Sequence, residues 1–297
     1  MRLFKLQTIL VATDLTETSV GAMVSAARLA SAAGATLHVA HVASEQNELN
    51  ADADRRAEYE QAIGNAVDAA KTTTAAQTHL MFGEPPHALA SLADKLRADV
   101  LVLGRRERTP KADSDRPVGS MAYACVTQTL VPVLVVVEPI SIPLRTALVA
   151  VDASEAARGS LLMALSWSSA LRDRNSTEAR LTIFHVDTGK GDPTEEAARL
   201  RQSAAHDADV LQRNAPGWAG VTVERITIKD PDPAAAISRH AMDSGAALVI
   251  LGTRASADHG LSAWGSVSAA VTRQLSIPVL LVPPAIWRDH ERDIDPF

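Results

Sequence analysis

Only one cysteine, Cys125, occurs in the 297 residues. An intramolecular disulfide is therefore excluded, and a reducing, cytoplasmic setting is the expectation. Aromatic residues make up 3% of the chain, so its cores must be filled by Val, Leu, Ile and Ala. No run of 18 apolar residues is present, so no membrane-spanning helix is expected. The stretch from Met1 to Glu17 has no long apolar segment followed by a small-residue cleavage site, so no signal peptide is expected either. A surplus of basic charge is also missing. The formal net charge is −6, which argues against nucleic acid as an obligate partner, because phosphate binding favours a basic face.

Several catalytic and phosphate signatures are absent as well. There is no GxxxxGK[ST] segment, and Gly189-Lys190 lacks the upstream glycine. No G-x-G-x-x-G follows the first apolar run and no G-x-S-x-G elbow occurs. The nine histidines are scattered, without an HExxH or paired-cysteine pattern that would suggest zinc. His38 and His41 stand three apart in a strand-like segment, which places them on opposite faces. A shared metal is not expected there, and a satisfied polar core is.

What the chain does contain is a duplication. Thr8-Ile-Leu-Val-Ala-Thr-Asp14 returns as Thr146-Ala-Leu-Val-Ala-Val-Asp152, and His41-Val42 returns as His185-Val186. Ala98 to Gly104 returns as Ala246 to Gly252, Gly119-Ser120 as Gly265-Ser266, and Pro132-Val-Leu-Val-Val as Pro278-Val-Leu-Leu-Val. Five landmarks in one order, at offsets between 138 and 148 residues, mark duplicated domains, since solenoid units are much shorter. The expected bounds are 1–140 and 144–283, followed by a tail over 284–297 that has no counterpart in the first copy. Glu138-Pro-Ile-Ser-Ile-Pro143 is the natural linker, and its shortness implies closely packed copies.

With 46% apolar and 22% charged residues the composition is that of a globular protein. Each copy alternates short apolar runs with longer amphipathic stretches, the βαβ pattern of a parallel sheet. The first copy predicts strands near 7–13, 36–42, 77–82, 99–103 and 133–137, with helices near 17–33, 52–71, 85–97 and 119–129. The second predicts strands near 146–151, 180–186, 221–228, 247–251 and 279–282, with helices near 155–172, 193–213, 233–244 and 265–275. Pro85 and Pro86 suit a helix start, where the missing N–H is not needed.

In an open parallel sheet, ligands bind beyond the carboxyl ends of strands, where the strand order reverses. Asp14 and Asp152 close the first strand of each copy. An acid there can accept from a ribose hydroxyl or an adenine amine, and it equally suits a helix start favoured by the macrodipole. In the second copy a strand ends on Gly252, a loop of small residues follows, and a helix opens at Gly265-Ser266. That arrangement lets backbone approach a phosphate and leaves N–H groups for an anion. It is equally ordinary turn and cap chemistry.

Ile-Leu-Val-Ala-x-Asp, the His-Val after the second strand and the closing Gly-Ser…Pro-Val-Leu-Val-Val together resemble the universal stress protein family, over both halves up to about residue 283. The resemblance implies an α/β fold: two tandem, open, five-stranded parallel sheets of order 3-2-1-4-5 with helices on both faces, Rossmann-like. It also implies a stress-response protein that takes ATP, alone or with Mg, as a regulatory input. Slow ATP hydrolysis, as in some relatives, and a nucleotide-free scaffold are the alternatives; no catalytic base is evident, since His259 could orient water but better fits a solvated loop histidine. Family members that bind ATP carry G-x2-G-x9-G-[ST]. The second copy keeps that spacing with Gly252, Gly265 and Ser266 but has Ala255 for the middle glycine. The first copy sets Gly104 and Gly119-Ser120 two residues too far apart, has Glu107 in the middle, and carries five basic and three acidic side chains between Arg105 and Arg116.

By that resemblance Asp152 and the backbone of Val151 and Val186 would hold adenosine. Gly252, Arg254, Gly265, Ser266 and Val267 would hold the phosphates. Asp14, Val42, Gly104, Gly119 and Ser120 are the counterparts in the first copy, which is expected to bind weakly or not at all. The resemblance further implies pairing through last strands, here inside one chain through residues 133–137 and 279–282, with a homodimer of the whole chain beyond it.

Overall fold

The computed structural model describes residues 5–43, 53–70, 75–105, 120–152, 155–173, 179–189, 220–253 and 265–286, with residues 53, 120, 155 and 156 described by their backbone alone. The chain divides into two compact units, one running from Leu6 to Ser141 and the other beginning at Ile142. The first contains β1 (Thr8–Ala12), α1 (Glu17–Ala33), β2 (Thr36–Ala43), α2 (Ala53–Ala69), β3 (Ala76–Phe82), α3 (Pro85–Leu96), β4 (Val100–Gly104), α4 (Ser120–Gln128) and β5 (Val133–Val136). The second contains β6 (Thr146–Ala150), α5 (Glu155–Ala170), β7 (Ala179–Asp187), β8 (Val221–Lys229), α6 (Pro233–Asp243), β9 (Leu248–Gly252), α7 (Ser266–Gln274) and β10 (Val279–Val282). The helix expected over 193–213 and the tail beyond Ile286 lie outside the described residues.

All strand pairs within each unit are parallel. The order in the first is β3-β2-β1-β4-β5 and in the second β8-β7-β6-β9-β10. Burial explains the composition of these strands. The first four residues of β4 and β9 and all of β5 and β10 are buried, as expected for strands covered on both faces. By contrast β8 alternates half-buried and exposed residues along most of its length, the pattern of a strand with one wet face. The cores are aliphatic. Trp167 and Phe184 are the two aromatic exceptions among the largest fully buried side chains.

Helix starts follow their sequence signals. Pro85 and Pro233 open α3 and α6, where the missing N–H has no intrahelical partner to lose. The Asp232 side chain caps α6 by accepting from the Ala235 N–H at 3.0 Å. The segment from Glu138 to Pro143 is less free than its prolines imply. Arg28 Nη1 donates to the Ile140 carbonyl at 2.8 Å and the Ile140 N–H donates to Ser25 Oγ at 3.0 Å, which docks this residue on α1. Cys125, on α4, is fully buried, and burial pushes its thiol up to about 12.

Candidate functional site

In each unit the strand order reverses between the first strand and its neighbour three strands later, β1 beside β4 and β6 beside β9. A crevice must open there at the carboxyl ends, because the connections leave toward opposite faces.

In the first unit this place is a cleft of about 210 Å³. Asp14, Val42 and Gly104, three of the expected residues, line it together. Gly119 lies outside the described residues, and Ser120 is the first residue of α4, described by backbone alone. The sequence had not pointed to Thr13, Thr18, Ser19, His41 or Met121, which share the lining.

The turn after β1 is built from hydroxyls. Asp14 Oδ1 accepts from the Thr16 N–H at 3.0 Å and the Thr16 hydroxyl at 2.7 Å, and Oδ2 accepts from the Thr18 hydroxyl at 3.1 Å. Burial raises the pKa of this carboxyl, but the bonds from Thr16, Thr18 and Ser19 outweigh it and hold the group below the ordinary carboxylate value. Thr13 and Ser19 share a hydrogen bond of 2.8 Å, and Ser19 Oγ donates to the Thr16 carbonyl at 2.9 Å. Leu15 adopts φ 60° to make this turn, a left-handed conformation that is strained for a side chain of its size. Its N–H donates to Thr13 Oγ1 at 3.0 Å.

Gly104 has a packing reason to be glycine. A Cβ there would meet the Thr18 carbonyl oxygen at 2.6 Å, so the end of β4 and the start of α1 can approach only across a bare backbone.

In the second unit Val151 follows β6, its N–H donating to the Phe184 carbonyl at 2.9 Å, and Asp152 beside it is exposed. Val186 pairs with Ile228 inside the sheet, and Gly252 ends β9 opposite Val282. Gly265 precedes α7 at φ 78°, ψ 139°, a region open to glycine and costly to other residues. No side chain caps α7 among the described residues, unlike α6. Ser266 is exposed on its first turn and Val267 half-buried. Ser268 ties the helix to the strand end by donating to the Gly252 carbonyl at 2.7 Å. Arg254, with the middle position Ala255, lies outside the described residues.

One device is common to both units. His41 Nδ1 lies 2.8 Å from the Thr13 carbonyl, and His185 Nδ1 lies 2.9 Å from the Val151 carbonyl. A carbonyl only accepts, so Nδ1 carries a proton and donates in each ring. Each histidine thereby bolts the second strand to the residue that precedes the site aspartate. The repeated His-Val was visible in the sequence, and its bond was not. His41 also stacks on Tyr59, ring centroids 5.2 Å apart, while His38 on the other face bonds His79 at 2.9 Å between Nδ1 and Nε2. Among the described residues no group of three or more His, Cys, Asp or Glu could hold a metal ion, and no helix is long and apolar enough to cross a membrane.

Two doubly wound α/β units in tandem, each with an aspartate and a glycine at the two sides of its strand reversal, define a duplicated Rossmann-like protein. The family model described as the universal stress protein family matches residues 5–137 and again 143–283, and the chain belongs to that family. A universal stress protein from Archaeoglobus fulgidus DSM 4304 superposes with a TM-score of 0.66 at 20% identity, over 95% of this chain and 97% of its own. A protein of Pseudomonas aeruginosa UCBPP-PA14 assigned to the same family gives 0.57 at 16% identity, over 97% of each chain. Both likenesses concern the fold. No curated protein matches the chain.

Proposed function

We propose that this chain is a cytoplasmic, non-enzymatic stress-response protein that binds ATP, or a related adenine nucleotide, as a regulatory input, chiefly in its second domain. The observation that carries this reading is the start of α7. Gly265 sits in a glycine-specific conformation, no side chain caps the helix among the described residues, and Gly252 ends the facing strand. Uncapped amides at a helix start favour an anion. Asp152 stands across the strand reversal, where its carboxylate can accept from a ribose or an amine. The Val151 and Val186 backbone, Ser266 and Val267 complete the set, with Arg254 as the cation for the phosphates. The first domain binds the same nucleotide weakly or not at all, since its spacing between Gly104 and Gly119 is two residues longer.

Calorimetric titration with MgATP, followed in parallel by tryptophan emission, tests the reading. All four tryptophans, 167, 218, 264 and 287, lie in the second half of the sequence. Millimolar MgATP that produces neither heat nor an emission change removes the proposal. Mass spectrometry of protein purified without added nucleotide separates a nucleotide binder from a ligand-free scaffold.

A further inference from the structure

The amino-terminal edge of each sheet lies at the other end of the strands from the crevice. In the first domain Asp99 Oδ2 accepts there from the adjacent Gln7 and Thr8 N–H groups, at 2.6 and 2.8 Å. A carboxylate is thus built into the chain where two backbone donors converge. The second domain reproduces the backbone around that point. The Thr36 N–H donates to the Gln7 carbonyl and the Arg180 N–H to the Arg145 carbonyl, both at 2.7 Å. The Asp99 N–H donates to the Thr8 carbonyl at 2.8 Å and the Ala247 N–H to the Thr146 carbonyl at 2.9 Å. The Arg145 carbonyl and the Thr146 N–H belong to one planar peptide, so the first of these bonds aims that amide as in the first domain. Leu6 and Leu144, the residues that lead in, are both buried. What the second domain lacks is the carboxylate, because position 247 is alanine. Among the described residues no other acceptor takes the Arg145 and Thr146 N–H groups.

The charge of the surrounding side chains has changed to match. Where the first domain has Gln7, Gly34 and Thr36, the second has Arg145, Arg172 and Arg180. Arg180 pairs with Thr146 in the register of β6 on β7. Leu171, next to Arg172, accepts from the Leu144 N–H at 2.8 Å, so all three cations stand at this edge. Arg145 and Arg180 are exposed, and Arg172 Nε is buried without a partner. None of the three guanidinium groups has a hydrogen bond or ion pair among the described residues. Asp173, the acid that follows Arg172, already has a partner. Two convergent N–H groups hold one oxygen of an anion, and a guanidinium fork takes its second oxygen. We propose that the amino-terminal edge of the second domain binds an external carboxylate, the group that Asp99 supplies from within the chain in the first. This site is independent of the nucleotide reading, which concerns the opposite ends of the strands.

The test titrates acetate and a capped aspartyl peptide into the full chain, against chloride at constant ionic strength. The backbone amide resonances of Arg145 and Thr146 are the readout. Both are expected to move together along one saturation curve. Ala247→Asp restores the internal carboxylate, so it should abolish that response and raise the melting temperature. Arg145→Gln with Arg180→Thr, the residues of the first domain, should weaken acetate about tenfold. Saturation by only one of the two carboxylates supports the site and names its source, a small anion or an acidic side chain. Amides that stay in place up to about 100 mM of both overturn the proposal, since charge-assisted bonds bind more tightly than that. An unchanged response in folded Ala247→Asp overturns it as well. Should that variant fail to fold, unaltered acetate affinity in the double arginine variant does so alone. Inorganic phosphate that binds about tenfold more tightly than either carboxylate overturns the assignment of ligand class.

Discussion

The two domains share a sheet register and differ in where they keep their hydroxyls. Beside the aspartate, the first domain has Thr13, Thr18 and Ser19 where the second has Val151, Ala156 and Ala157. Beside the glycine the balance is reversed. The second domain ties α7 to its surroundings with Ser268 to the Gly252 carbonyl at 2.7 Å and Ser238 to Gln274 at 2.7 Å, while Thr272 bonds back within the helix to the Ser268 carbonyl at 2.8 Å. The first domain has Ala122, Ala90 and Val126 at the equivalent places. Polar fastening has moved from one lip of the crevice to the other while the strands stayed put. A duplicated fold can thus change what its crevice recognises by exchanging small side chains, because alanine, serine and threonine occupy similar space but differ in hydrogen bonding.

The strongest way to break this comparison is Gly265→Glu. A carboxylate forced into a left-handed conformation at the start of α7 should lower ATP affinity at least about a hundredfold, read by calorimetry. Retained affinity would place the nucleotide elsewhere. Next is Gly104→Ala, which must displace the Thr18 carbonyl and should lower first-domain stability by about 2 kcal/mol in urea unfolding. Ser268→Ala removes one tether and should lower stability by about 1 kcal/mol and weaken ATP more than adenosine. The reciprocal Ala122→Ser should leave ATP binding unchanged, since the first domain lacks the spacing.

The smallest effect concerns pH. Burial and then His79 hold His38 below the usual histidine value, and burial and then Lys95 do so for His79. The folded state therefore favours the neutral rings. Their contribution is complete above pH 6.5 and is lost as pH falls through the lower folded values. The second domain has Thr182 and Ile226 at these registers. His38→Thr should accordingly flatten the decline of the melting temperature below pH 6.5, and an unchanged slope would mean other groups cause it.

The elements were legible in the sequence because strands covered on both faces are continuous apolar runs, as Val100–Leu103 and Val133–Val136 are. Among the described residues the expected strand and helix ends fall within a residue or two of those observed, where fraying and capping decide. What escaped notice depends on partners far apart in the chain. Asp99 Oδ2 accepts from the Gln7 and Thr8 N–H groups at 2.6 and 2.8 Å, 92 and 91 residues away, and no local pattern announces that. Leu15 is a second case, since leucine carries no turn signal and its φ is set by the hydroxyl network around it. Gly104 was legible as a site glycine, but its close approach to Thr18 needed the packing of α1 on β4.

The burial of Cys125 has a practical side. With burial pushing its thiol up to about 12, little of the reactive thiolate forms at neutral pH, and the side chain is shut away from reagents. The natural protein is thus chemically silent toward maleimides and iodoacetamides. A cysteine introduced at an exposed position becomes a single address for a dye or spin label, without first deleting the native one. Each domain can then be made to report on its own occupant.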